Sequence, residues 1–228
     1  MKNARLYIVF LIFLGIKNVL AESKKIISSK YTENPSAYYA LCLKKVDILK
    51  EPTFNSTKIY ECKEGDIIRY IGNQFLEVME FNSSSKKEEK QFFTILKIED
   101  TEKNMGYISD SDSVYLTKDK SFIENNKNSI ILLNDIQKMV GGAYRDLNGP
   151  FLESDFNNLQ FVITYDVNNG NKISFSKIIK MNKNEFELSN VDSTIILKKK
   201  TPDSVELSII RGANNLKPFA KILRKIKS

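Results

Sequence analysis

Hydrophobic positions fall into two blocks of strand-like runs with a helix-like interval between them. In the first block, Asp66-Ile67-Ile68-Arg69-Tyr70-Ile71, Phe75-Leu76-Glu77-Val78-Met79 and Phe92-Phe93-Thr94-Ile95-Leu96-Lys97-Ile98 are short runs rich in β-branched and aromatic residues, which predicts strands. Ile48, Ile59, Cys62, Ile67, Ile95 and Ile108 stand among polar neighbours, as the inward positions of a small barrel do, and are the expected core. Ser83 to Lys90 is hydrophilic and reads as a loop or hairpin extension.

The interval changes period. Ser129 can cap an apolar series at Ile130, Leu133, Ile136 and Val140, and Gly141-Gly142 follows as a stop, so a connector helix is expected over 129–140. Asp119 to Asn128 is polar and carries Asn125-Asn126, which predicts a linker with a turn and places the domain boundary there.

The second block returns to strands at Leu159–Val167, Lys172–Met181, Glu185–Ser189, Thr194–Lys199 and Ser204–Arg211. Asn168-Asn169-Gly170-Asn171, Lys200-Thr201-Pro202-Asp203 and Gly212-Ala213-Asn214-Asn215 supply the turns, because Asn and Gly tolerate the positive φ of tight hairpins. The tail from Leu216 to Ser228 has two readings: a last strand at about Lys217–Leu223, or a helix with a basic face.

The start of the chain has a grammar of its own. Lys2 and Arg5 precede an apolar run from Leu6 to Ile16, and Val19-Leu20-Ala21 supplies the residues of a cleavage site between Ala21 and Glu22. An uncleaved anchor is the alternative, but spanning takes about 20 apolar residues and Lys17 cuts this run short. No Cys follows the run, so a lipoprotein attachment site is missing. The expectation is an exported chain, periplasmic or secreted and not a lipoprotein, with a signal peptide at 1–21 and a flexible lead at 22–36.

Residues 37–118 carry a resemblance. Val46-Asp47-Ile48-Leu49-Lys50-Glu51-Pro52, then Lys58 to Ile68 through Gly65, then Gly106-Tyr107-Ile108 and Val114-Tyr115-Leu116 resemble a bacterial SH3 (SH3b-like) domain in order and rough spacing. The family's usual Trp corresponds to Phe92 or Phe93, its Arg after the first strand to Lys50, and the hairpin from Met79 to Gln91 is longer than usual. The resemblance implies a small barrel that attaches to peptidoglycan or to an envelope protein.

The expected fold class is therefore all-β: the SH3b-like barrel at 37–118, a linker and connector helix at 119–142, and a second antiparallel meander or small barrel at 143–228. Phe54, Tyr60, Tyr70, Tyr107 and Tyr115 are the candidate ligand-binding residues, because aromatic faces stack on sugars and extended peptides. Core packing is the competing role for each.

Composition narrows the chemistry. The 228 residues include no His and no Trp, which removes Ser-His-Asp and Cys-His nucleophiles and His-bound metals. No metal or other cofactor is expected, and no nucleic acid partner. Cys42 and Cys62 stand 20 positions apart and are either bridged, as an exported protein allows, or two buried free thiols. Asn55-Ser56-Thr57 and Asn82-Ser83-Ser84 fit the glycosylation pattern, and Asp110-Ser111-Asp112-Ser113 resembles half a calcium loop without its distal Glu. Glu153 and Asp155 are the carboxylates that a wall hydrolase would need, or ordinary turn residues.

Charge is unevenly spread. From Thr194 onward, Lys198, Lys199, Lys200, Arg211, Lys217, Lys221, Arg224, Lys225 and Lys227 face only Asp203 and Glu206, nine basic residues against two acidic ones. A basic C-terminal region of this kind attracts anionic surfaces. The functional expectation is a non-enzymatic envelope protein that binds peptidoglycan or an envelope protein. The alternatives are a carrier of small apolar ligands in the C-terminal β domain and, further off, a carboxylate-dependent wall hydrolase.

Overall fold

The computed structural model describes residues 25–53, 55–82, 84–144, 150–166, 169–211 and 219–226. Among the described residues the fold is mostly β, with 61% in strands, one α-helix and several antiparallel sheets. Two compact units divide the chain: the first takes residues up to Tyr38 with Val46–Cys62 and Ile68–Asp112, and the second takes Tyr39–Lys45, Lys63–Ile67 and Ser113–Ser228.

In the first unit, β1 (Lys25–Cys42, whose last residues enter the second unit), β2 (Val46–Leu49), β3 (Lys58–Cys62), β4 (Ile67–Asn82), β5 (Lys87–Glu99) and β6 (Met105–Ile108) lie in the order β3-β2-β6-β5-β4-β1. The register sets Leu96 opposite Ile108 and Ile48 opposite Tyr60, so one face carries a row of buried side chains. Gly106 is needed within it, since a Cβ there would meet Ile48 Cγ2 at 2.3 Å. On the other face Leu76, Val78 and Ile95 are buried against Phe93 and Tyr107.

Two expectations change here, and an open one is decided. The lead expected to be flexible is strand from Lys25. Its side chains are exposed from Ile26 to Thr32, and polar contacts anchor it: Ser28 Oγ donates to Glu77 Oε2 at 3.0 Å, Gln74 donates to Ser29, and Lys97 Nζ sits 4.9 Å above the Tyr31 ring. A strand held this way leaves no apolar alternation to read. The two strands expected at 66–71 and 75–79 are one, because the register slips at Tyr70/Gly72 and the pairing continues beyond the bulge. Gly72 permits this: a Cβ there would lie 2.5 Å from the Thr32 carbonyl oxygen. The hydrophilic stretch before Gln91, read as a loop or a hairpin extension, is the extension, with Met79 opposite Lys90 and Asn82 opposite Lys87. Asn82 Oδ1 caps the tip by accepting from the Ser84 and Ser85 amides at 2.9 and 3.2 Å.

The second unit starts where the end of β1 pairs with β7 (Val114–Thr117), Cys42 opposite Val114. The helix α1 spans Lys120–Val140, nine residues more than the 129–140 expected. Asp119 caps it, accepting from the Phe122 amide at 3.0 Å. Asn125 and Asn126, read as a turn, lie inside it, and Asn126 Nδ2 donates back to the Phe122 carbonyl at 2.9 Å. Burial overrides their turn preference: Ile123 and Ile130, seven apart on one face, are fully buried with Leu41 and Leu43. The helix belongs to the packed interior of this unit rather than to a connector.

Two antiparallel sheets follow. β8 (Gly142–Ala143), β9 (Phe151–Asp155), β10 (Gln160–Asp166) and β11 (Asn171–Phe175) form one in the order β11-β10-β9-β8, and β12 (Lys177–Asn182), β13 (Glu185–Ser189), β14 (Thr194–Thr201), β15 (Ser204–Arg211) and β16 (Phe219–Arg224) form a sequential meander. The single strand expected at 172–181 breaks at Ser176, and its halves enter different sheets. The inward parity flips there, since Phe175 and Ile178 both reach the same core. The tail is a strand over Phe219–Arg224, paired with β15 from Ile209↔Phe219 to Ser204↔Arg224. Leu133, Ile136 and Val140 of α1 close this core over Tyr144, Phe161, Phe175 and Phe186, none more than 2% exposed.

Candidate functional site

The five aromatic candidates do not form one surface among the described residues. Phe54 and the cleavage pair Ala21 and Glu22 lie outside those residues. Tyr70 is 4% exposed, opposite Ile98, and is a packing residue rather than the exposed aromatic its position in the sequence implied. Tyr60 shares the face of Ile48, and its hydroxyl is buried without a hydrogen-bond partner. Burial first, and the carboxylate of Asp100 second, push that phenol above its usual range. Tyr107 packs on Leu76, Val78 and Ile95. Tyr115 belongs to the second unit, where its ring stacks on Phe156 with centroids 5.4 Å apart and burial raises its phenol. A small sheet without Trp uses these rings to fill space.

The aromatics that the first unit does expose are others. Phe92 is 78% exposed and Phe75 is 41% exposed, and the register puts them on one face of β4 and β5, beside the Glu77–Lys90 ion pair at 2.7 Å.

Cys42 and Cys62, the only cysteines of the chain, are both disulfide-bonded and buried, so the free-thiol alternative falls. Glu153 and Asp155 both lie on β9. Asp155 ends the strand by accepting from Asn158 Nδ2 at 2.7 Å and from the amides of Asn157 and Asn158 at 3.1 Å each. Those donors, Asn158 foremost, hold its carboxyl below the usual carboxylate range, the direction opposite to that of a general acid.

The basic C-terminal residues divide by strand alternation. Lys198 pairs with Glu185 at 3.5 Å and Lys200 with Glu206 at 2.5 Å, while Lys199 between them points the other way. There it joins lysines that the C-terminal charge count did not include. An open concavity of about 260 Å³ is lined by Asp135, Lys138 and Met139 of α1, Lys180 of β12, Lys183 and Asn184 of the turn after it, Phe186 of β13 and Lys199 of β14. Lys180 is paired with Asp135. Four ammonium groups against one carboxylate leave the lining at 4 − 1, or +3.

The backbone fixes this arrangement. The Lys199 amide donates to the Asn184 carbonyl at 2.8 Å, and Asn182 Oδ1 caps the turn by accepting from the Asn184 amide at 2.9 Å. Phe186, 1% exposed, anchors the floor in the core. Among the described residues, neither Lys183 nor Lys199 has an acidic partner. An unneutralised cluster of ammonium groups creates a positive potential that favours anions over cations. The signal for it was weak in the sequence, because its lysines come from 138, 180, 183 and 199 and share no spacing.

No helix of the described residues is long and apolar enough to cross a membrane, and no group of three or more Asp, Glu or Cys among them is placed to hold a metal ion. Comparison with protein-family models, with curated proteins and with solved structures gives no match to this chain.

Proposed function

We propose that this protein is an exported, non-catalytic binding protein of the cell envelope, and that it engages an anionic envelope surface through the lysine-lined concavity of its second unit. The observation that carries this reading is the convergence of Lys138, Lys180, Lys183 and Lys199 around one depression with a single carboxylate. Export is supported by the N-terminal apolar run and by the engagement of both cysteines in a disulfide, a bond that persists in oxidising compartments.

A second reading places recognition in the SH3b-like region, which would bind peptidoglycan or an envelope protein. Exposed Phe92, which with Phe93 is one of the two residues that would correspond to that family's Trp, favours it. A carrier of small apolar ligands has less support, because Tyr144, Phe161, Phe175 and Phe186 fill the interior between α1 and the strands of the second unit.

Co-sedimentation of residues 22–228 with isolated envelopes separates the two. The concavity predicts pelleting that raised salt weakens and that the double variant Lys183→Ala/Lys199→Ala loses. Pelleting that resists salt and is lost in Phe92→Ala assigns recognition to the first unit. No pelleting under either condition overturns envelope binding.

A further inference from the structure

The concavity already contains an anion of its own. Asp135 projects from α1 onto Lys180, while Lys183 and Lys199, fixed by the turn and by β14, have no acidic partner among the described residues. Lys138, one turn along the helix from Asp135, adds a fourth positive charge near the helix C-terminus. The one carboxylate of the lining sits on Lys180 and leaves Lys183 and Lys199 for an incoming anion.

The donor set points to a class of anion. Its charged donors are ammonium groups, with the carboxamide of Asn184 beside them and no guanidinium fork to match a planar carboxylate in two parallel bonds. Lysines converging from different elements act as point charges around a tetrahedral oxyanion. The site is concave and its apolar lining is Met139 and the buried Phe186, so it lacks the projecting apolar face with which a protein lies on a lipid surface.

We propose that the concavity binds phosphate groups of an anionic envelope polymer, and that Asp135 is their internal competitor, leaving Lys180 when the phosphate arrives. This rests on the concavity being the envelope contact. It predicts an inversion of sign: removing an acidic residue that makes an ion pair strengthens ligand binding.

The test titrates residues 22–228 with a soluble glycerol-phosphate polymer, with polyglutamate of equal charge, and with phosphatidylglycerol vesicles, all at fixed ionic strength. Asp135→Asn is expected to bind the phosphate polymer about 2- to 5-fold more tightly than the wild type, the range set by loss of one exposed ion pair. Lys183→Ala/Lys199→Ala is expected to bind it about 10-fold more weakly, at an unchanged melting temperature, and inorganic phosphate should displace the polymer.

Equal or weaker binding by Asp135→Asn overturns the competitor role. Polyglutamate binding as tightly as the phosphate polymer overturns the phosphate assignment, and binding to vesicles but not to polymer overturns the polymer in favour of lipid. If envelope pelleting stays lysine-dependent while the polymer fails to compete, the ligand class falls and the proposed function stands. Envelope pelleting indifferent to both lysines removes the concavity itself.

Discussion

The two units solve the same problem, holding antiparallel strands in place, by different means. The second closes α1 over its strands and leaves Leu133, Ile136, Val140, Leu152, Phe161, Leu188 and Leu197 with no exposure. In the first, the outer ribbon of β1, β4 and β5 is joined by side-chain contacts such as Ser28–Glu77, Lys90–Glu77 and Lys97 over Tyr31, and it leaves Ile27, Phe75 and Phe92 in solvent. Burial of apolar area at about 25 cal/mol per Å² dominates stability, whereas exposed polar pairs add little. The ribbon therefore adds less to stability than the buried cores do and is left free to present side chains.

Truncating one large ring in each unit tests that contrast at its widest. Phe161→Ala removes a ring at 0% exposure and should cost about 3–5 kcal/mol, read as a shifted midpoint in urea unfolding. Phe92→Ala, at 78% exposure, should change the midpoint by no more than about 0.5 kcal/mol. Comparable losses would break the comparison.

The disulfide comes next. Replacing Cys42 and Cys62 by Ser should cost about 3 kcal/mol, the chain-entropy value for a loop of about 20 residues, and adding reductant to the wild type should reproduce the loss. At the start of α1, Asp119→Ala removes the acceptor of the Phe122 amide and should cost about 1 kcal/mol. The helix would then fray from the end that the sequence did not assign to it, which amide exchange over 120–128 reads directly.

The smallest effect is one of pH. Asp155 is held below its ordinary pKa in the folded state, chiefly by Asn158. Its contribution is thus present above the unfolded carboxyl pKa and is lost as pH falls through the folded one. Wild type should melt above Asp155→Leu at pH 7, and the gap should narrow in acid. A gap that widened on acidification would contradict the role of this carboxylate.

Legibility in the sequence followed the same division. Strands of the second unit with one buried face came out close to their bounds, Glu185–Ser189 and Ser204–Arg211 among them, because alternation is a record of burial. Residues 26–32 left no such record, since their side chains stay exposed and polar contacts tie them down. Asn125 and Asn126 misled for another reason: local turn preference lost to the burial of Ile123. The break at Ser176 is marked by the parity change from Phe175 to Ile178, which a single straight strand does not allow. For the concavity, the count of C-terminal charge included Lys199 alone, and Lys138, Lys180 and Lys183 join it only through tertiary packing.

Whether recognition belongs to the second unit is the central question, and one binding isotherm answers it most directly. Residues 22–228 are titrated onto a single envelope preparation as wild type, as Lys183→Glu/Lys199→Glu and as Phe92→Ala. The account predicts that charge reversal in the concavity abolishes binding while Phe92→Ala binds as the wild type does. Unchanged binding by the charge-reversed protein, with loss in Phe92→Ala, would contradict it and move recognition to the exposed ribbon of the first unit.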